Sequence, residues 1–175
     1  NHYVGRALAL SADGAVLASG EKSYNNGMGR VRVFDWVNDQ YVERNDPNQS
    51  LDGYPQSGSY SSKAGSSVAL SADGAIVAFG MEEYNTATGR VRVFSWDAVA
   101  GTWTQLGQEG ELDGEPESWD TQGWDFHGNK VALSDDGTVL AVGAPNHSYS
   151  NQHNQGRVRV YKYEANNNSW NQRGQ

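Results

Sequence analysis

Three segments of the chain are copies of one another, and this self-similarity limits the possible folds more than any other feature. GRALALSADGAVLASG runs from Gly5, GSSVALSADGAIVAFG from Gly65 and GNKVALSDDGTVLAVG from Gly128. Each opens and closes on glycine 15 positions apart: Gly5 and Gly20, Gly65 and Gly80, Gly128 and Gly143. A second block follows each one: GRVRVFDW from Gly29, GRVRVFSW from Gly89 and GRVRVYKY from Gly156. The offsets are 60 residues from first to second copy, then 63 to 67. Repeats of this length are supersecondary units that bury their apolar faces by stacking on one another.

The second copy shows what one unit contains. Ser66–Ser71 alternates towards Val68 and Leu70, the period of a half-buried strand. Asp73-Gly74 supplies a tight turn, because glycine accepts positive φ and aspartate caps its own backbone. Ile76–Gly80 is mostly apolar, as expected of a strand covered on both faces. After the polar loop Glu82–Gly89, a third strand over Arg90–Trp96 sets Val91 and Val93 on one face. Arg90, Arg92, Phe94 and Trp96 fall on the other. A turn at Asp97–Gly101 leads to a fourth strand, Thr102–Leu106. Four short antiparallel strands per unit predict an all-β fold: three four-stranded antiparallel blades of a β-propeller, either partial or part of a larger one. With 21 glycines and only 4 prolines, the composition suits short strands and many turns. The units divide the chain into blade 1 (1–49), a connection (50–64), blade 2 (65–107), an acidic connection (108–127) and blade 3 (128–175).

The unit is longer than the ~40–45 residues of WD40 or the ~50 of kelch repeats. It resembles the FG-GAP, or integrin-α-like, propeller repeat. His127-Gly128 begins the first strand of the third copy, and Val142-Gly143-Ala144-Pro145 stands where that family's GAP falls. The phenylalanine of FG is replaced by Val4, Ala64 and His127, and only the third copy keeps Ala-Pro. The resemblance implies an extracellular or cell-surface adhesion module, with Ca²⁺ held beside the DG turn. Here Leu17, Val77 and Leu140 stand where oxygen ligands would be needed, so that calcium site is expected to be lost.

A net charge of −8, with only four lysines, argues against binding a nucleic-acid backbone. Without cysteine, disulfides and thiolate metal sites are excluded. No apolar run is long enough to span a membrane. Asn1 is not an initiator methionine, so the chain is read as a mature or excised piece. Sequons at Asn48, Asn146 and Asn167 lean towards secretion as a glycoprotein. Both connections carry LDG-x-P-x-S, at Leu51–Ser57 and Leu112–Ser118. Three blades are fewer than the roughly four to eight of known propellers. The end blades are therefore expected to meet other copies of the chain or further blades of a parent chain.

Three sets of residues are candidates for chemistry. The connection Glu109–Asp125 carries seven carboxylates and no basic residue. Asp113, Glu115, Asp120 and Asp125 could hold Ca²⁺, which takes six to eight oxygens; the alternative is a solvated acidic loop. Tyr24-Asn25, Tyr84-Asn85 and Tyr149 with Asn151 occupy repeated loops after the second strands. That loop and the inter-blade connection fall on one face of a meander blade, which would gather these tyrosines with Trp119 and Trp124. Aromatic plates beside amides suit sugar or peptide recognition; the plainer alternative is turn residues packing locally. Arg30, Arg32, Arg90, Arg92, Arg157 and Arg159 form three pairs, expected to bridge to oxygens of the next blade. Arg32, Arg92 and Arg159 in particular are expected to be buried.

His2, His127, His147 and His153 share no repeat position, and no catalytic motif is present. The expected function is therefore a non-catalytic extracellular β-propeller module for interaction or adhesion, binding protein or glycan. The alternative is a structural repeat subunit of a larger extracellular assembly or filament. A propeller hydrolase or lyase would need an acid–base set that the sequence does not supply.

Overall fold

The computed structural model describes residues 4–55, 61–115, 124–148 and 154–174. It is all-β, with three four-stranded antiparallel meanders, the blades of a β-propeller. Blade 1 comprises β1 (Ala7–Leu10), β2 (Val16–Gly20), the single turn α1 (Tyr24–Gly27), β3 (Val31–Val37) and β4 (Gln40–Glu43). Blade 2 repeats the order with β5 (Ala64–Leu70), β6 (Ile76–Met81), α2 (Tyr84–Ala87), β7 (Arg90–Asp97) and β8 (Thr102–Leu106). Blade 3 has β9 (Lys130–Leu133), β10 (Val139–Ala144), β11 (Arg157–Glu164) and β12 (Ser169–Arg173). Among the described residues no helix is long and apolar enough to cross a membrane.

The LS-x-DG block closes the first hairpin of each blade, and its serine matters as much as its glycine. Ser71 Oγ accepts from Ile76 N at 2.9 Å and donates to Asp73 Oδ1 at 2.6 Å, while Asp73 Oδ1 accepts from Ala75 N at 2.9 Å. Ser11 with Asp13, and Ser134 with Asp136, repeat the arrangement. Donation from Ser134, then from the N–H and hydroxyl of Thr138, holds the Asp136 carboxyl down at about 2. These aspartates are turn residues.

The connections are fastened to the third strands by their LDG segments. Val31 N donates to Leu51 O at 2.9 Å and Gly53 N to Gly29 O at 3.0 Å. In the next unit Val91 N donates to Leu112 O at 3.0 Å and Gly114 N to Gly89 O at 2.9 Å. Leu51 and Leu112 then enter the two cores.

Those cores lie between blades. Val16, Ala18, Val31 and Val33 of blade 1 pack on Val77, Phe79, Met81, Phe94 and Trp103 of blade 2. Ala78, Val91 and Val93 on the other face of blade 2 pack on Leu140, Val142, Tyr161 and Trp170 of blade 3. The valines of the third strand therefore face the following blade, and its aromatics face the preceding one. Successive blades come closest at glycine, where the end of one blade's second strand meets the chain entering the next blade's first strand. A Cβ at Gly20 would overlap the carbonyl oxygen of Gly65, and one at Gly80 that of Gly128. Neither Gly20 nor Gly80 has a positive φ, so what demands glycine there is the next blade's backbone.

Gly80→Ala should therefore destabilise the chain by about 3 kcal/mol, the upper part of the usual overpacking range. The midpoint of urea unfolding measures it, and a value within error of the parent would show that the blades can move apart cheaply.

Candidate functional site

The turns after the second strands and the ends of the connections form one rim. Lys63 N donates to Gly27 O at 2.9 Å and Ala64 N to Met28 O at 3.1 Å; Phe126 N to Ala87 O and His127 N to Thr88 O repeat this at 2.9 and 3.1 Å. The turns themselves are not α-helical: Asn25, Asn26, Asn85 and Thr86 have φ of 46, 57, 48 and 62°. Asparagine tolerates that left-handed geometry better than most residues, and Asn25 and Asn85 end up exposed.

Between blades 1 and 2 the rim opens into a groove of about 350 Å³, lined by Tyr54, Ser61, Ser62, Glu83, Tyr84 and Asn85 among others. The Tyr54 and Tyr84 rings lie 5.2 Å apart, tilted by 52°. Ser62 Oγ accepts from Tyr54 N at 2.8 Å and lies 2.9 Å from Met28 O, which fixes the connection against blade 1. Arg90 sits 4.1 Å above the Tyr84 ring and donates to Tyr54 Oη at 3.1 Å. Tyr24 is covered in the same way by Arg30, at 4.0 Å. Tyr149, Asn151 and Trp119 lie outside the described residues; Trp124 is exposed. Tyr54 was not anticipated from the sequence. The signal lies in the connections, where LDG-x-P places Tyr54 and Glu115 at the same position.

The arginine pairs are engaged by acceptors, but these do not come from the next blade's sheet. Arg90 makes a two-pronged pair with Asp113 and also reaches Glu109, both in the connection that follows its own blade. Arg157 and Arg159 meet Glu115 at 3.1 and 2.5 Å. Arg30 pairs with Glu21 at 2.8 Å, and Arg32 with Glu43 at 2.5 Å, all within blade 1. Arg92 donates to Gln105 of its own blade at 2.7 Å. Arg159 is buried, whereas Arg32 and Arg92 are half-exposed, so the expected burial of all three is corrected. The bridging falls to other side chains. Arg44 Nη1 donates to Gly74 O at 2.7 Å, Trp103 N to Asp46 at 2.7 Å, Gly107 N to Asn168 at 2.8 Å and Trp170 Nε1 to Leu106 O at 3.0 Å.

The proposed metal carboxylates are dispersed among other side chains: Asp113 on Arg90, Glu115 on Arg157 and Arg159, Asp125 beside His147 at 3.2 Å. Asp120 lies outside the described residues. Among the described residues no group of three or more His, Asp or Glu side chains converges as a metal site would require. Near Glu115 the structure instead buries a polar cluster: Asp125, His147, Arg159 and His127. Burial raises the Asp125 carboxyl, against the pull of His147. Burial, helped by Arg159 and Arg157 and opposed by Glu115, lowers His127 to about 3. Its Nε2 is shielded and makes no hydrogen bond among the described residues. Asn48 and Asn167 are exposed, and Asn146 is half-buried.

No protein-family model matches the chain, and no curated protein matches it by sequence. Among solved structures it is similar to a protein provisionally named a 6-phosphogluconolactonase, from Bacteroides fragilis. The TM-score is 0.54 and the identity 15%, over 95% of this chain and 37% of that one. Two others are TolB from Acinetobacter baumannii (0.45, 12%, 98% and 32%) and the β-propeller domain of the trilobed protease from Pyrococcus furiosus (0.45, 11%, 97% and 41%). The chain thus spans 32% to 41% of the length of these structures. At such identities the likeness is one of fold.

Two outcomes follow. His127 has a pKa of 6.5 when unfolded and about 3 when folded, so between these values the unfolded chain carries the extra proton. Stability then falls as pH drops through that window, by about 2 kcal/mol from pH 7 to pH 5. His127→Ala, which installs the residue blade 2 has at Ala64, should abolish that loss; urea midpoints at the two pH values check it. Treatment with EDTA should leave the melting temperature unchanged, and a clear drop would reveal a structural ion.

Proposed function

We propose that the chain is a non-catalytic interaction module whose ligand, a glycan or an extended peptide, lies in the groove lined by Tyr54 and Tyr84. The observation that carries this reading is the groove itself. It offers two ring faces held by Ser62 and Arg90, with hydroxyl, amide and carboxylate groups from Ser61, Asn85 and Glu83 beside them. Apolar plates flanked by a few fixed polar groups are the usual make-up of a small-ligand site. A sugar ring suits it well, since its C–H face packs on an aromatic ring while its hydroxyls take the polar partners.

The two histidines among the described residues, His127 and His147, are buried and neither lines the groove, which favours the non-catalytic reading. The FG-GAP-like pattern of the third repeat and the exposed sequons Asn48 and Asn167 favour an extracellular or cell-surface setting. A structural role in a larger assembly is the second reading, favoured by the apolar residues exposed on both end blades, Leu8 and Leu10 on one and Val158 on the other.

Screening the labelled chain against arrays of neutral and acidic oligosaccharides and of peptides tests the first reading. Tyr84→Ala should weaken the best binder at least about tenfold, about 1.4 kcal/mol. Because the Tyr84 ring also packs on the core between blades 1 and 2, some loss of urea midpoint is expected, and binding is compared where both proteins are fully folded. No binder on either array, or one indifferent to Tyr84→Ala, would remove the groove from consideration.

A further inference from the structure

The interface between blades occurs twice within the chain, and each half of it occurs once more, unpaired, at an end of the array. Blade 3 presents the trailing half. Val158 is 71% exposed, whereas its repeat counterparts Val31 and Val91 are 4% and 3% exposed under the following blade. Gly143 matches Gly20 and Gly80, whose hypothetical Cβ atoms overlap the next blade's carbonyl oxygen. A Cβ on Gly143 meets nothing nearer than Lys130 at 3.6 Å, and its φ is not positive. Nothing within the described chain requires glycine there.

Beside Gly143 lies a cavity of about 460 Å³, bounded by Lys130, Pro145, Gly156 and Val158 among others. Its place in the repeat identifies what fills such a cavity. Gly156 corresponds to Gly29 and Gly89, which form parallel bridges to Ala64 and His127, the residues that enter the following blade. In blades 1 and 2 this socket is therefore occupied by Ala64-Gly65 and by His127-Gly128.

Blade 1 presents the matching half. Val4 corresponds to Ala64 and His127, which are 0% and 1% exposed, yet Val4 is 60% exposed. Leu8 and Leu10, counterparts of the half-buried Val68 and Leu70, are 59% and 57% exposed. Gly14 has open space around it, whereas Gly74 and Gly137 lie with a would-be Cβ 2.5 Å from Val16 and Ile76. The turns are also linked in series, Ala12 N to Ala72 O and Ala72 N to Asp135 O, both at 2.8 Å. Among the described residues, no backbone bond extends that series beyond Ala12 O or Asp135 N.

We propose that a second copy of this chain docks Val4-Gly5 into the Gly143–Val158 socket, so that two copies close head-to-tail into a six-bladed ring. A head-to-tail contact either closes into a ring or grows into a filament. Two copies give six blades, within the roughly four to eight of known propellers, and three copies would exceed them. The contact on each side is the one the chain already uses twice internally: valine on leucine, glycine on glycine, turn on turn.

Sedimentation equilibrium of the 175-residue chain at micromolar concentrations tests this. The expected mass is twice 19.1 kDa. Gly143→Ala clashes with nothing among the described residues of the monomer, so it should keep the circular dichroism spectrum yet raise the dimer dissociation constant at least about tenfold. Leu8→Asp and Val158→Asp, both at exposed positions, should each give monomers. Mixing these two variants should restore dimers, because one intact interface remains between them. A wild-type monomer of 19.1 kDa overturns the proposal. So does a dimer unaffected by Gly143→Ala and Val158→Asp, and so do assemblies that keep growing with concentration.

Discussion

Successive blades meet backbone to backbone at two glycines, and the geometry of the array depends on that approach. Gly20 lies against Gly65 and Gly80 against Gly128, with no room for a methyl group between them. At the opposite end of the strands the hairpin turns of successive blades also meet, and Ala12, Ala72 and Asp135 form their chain of bonds. Farther out the sheets diverge, and the space is filled by side chains that grow with distance from the contact. Alanine and valine on one sheet oppose phenylalanine and tryptophan on the other. Taper and contact are one design: small at the inner strand, large at the outer. A close-packed interior transmits any change at the glycines to the whole interface.

The rim answers to different rules. Each connection is pinned by the same two backbone bonds of LDG to the strand it follows. It then delivers the residue after LDG to the arginine pair of the next blade. In the first connection that residue is Tyr54, which shares Arg90 with Tyr84 and leaves a groove with ring faces. In the second it is Glu115, which pairs with Arg157 and Arg159 and closes a buried polar cluster with His127 beneath it. One substitution in a repeated frame thus decides between an aromatic pocket and an ion-paired one. The repeats hold the rim in place, and the departures from the repeat give each part of it its chemistry.

This division explains what could be read from the sequence. The strands, the DG turns and the three meanders follow from local pattern, because period-two alternation and glycine φ act over a few residues. The rim partners do not. Arg90 is 19 residues from Glu109 and 36 from Tyr54, and only the path of the connections brings them together. Regular spacing of the arginines suggested a uniform role between blades. In fact Arg32 and Arg92 stay half-exposed on their own blades, and unremarked residues such as Arg44 and Asp46 span the gap. His127 looked like one of four scattered histidines. It is a core residue, because it occupies the entry position that Ala64 holds in blade 2 and that a neighbouring blade encloses.

The leading face of blade 1 is not a plain copy of its counterparts. Where blade 2 has Phe79 and Met81 in the core, blade 1 has Ser19 and Glu21. Glu21 is held by Arg30 at 2.8 Å and lies 3.5 Å from Arg32, so the outer part of that face is an ion-paired surface. Leu8 and Leu10 of the inner strand remain apolar and exposed. Trp36 and Tyr41 of the outer strands are exposed as well, so the ion pairs lie between two apolar strips. Monomeric proteins rarely expose large continuous apolar patches. Exposed leucines beside a buried, ion-paired Glu21 give blade 1 a leading face unlike those of blades 2 and 3, which lie under their neighbours.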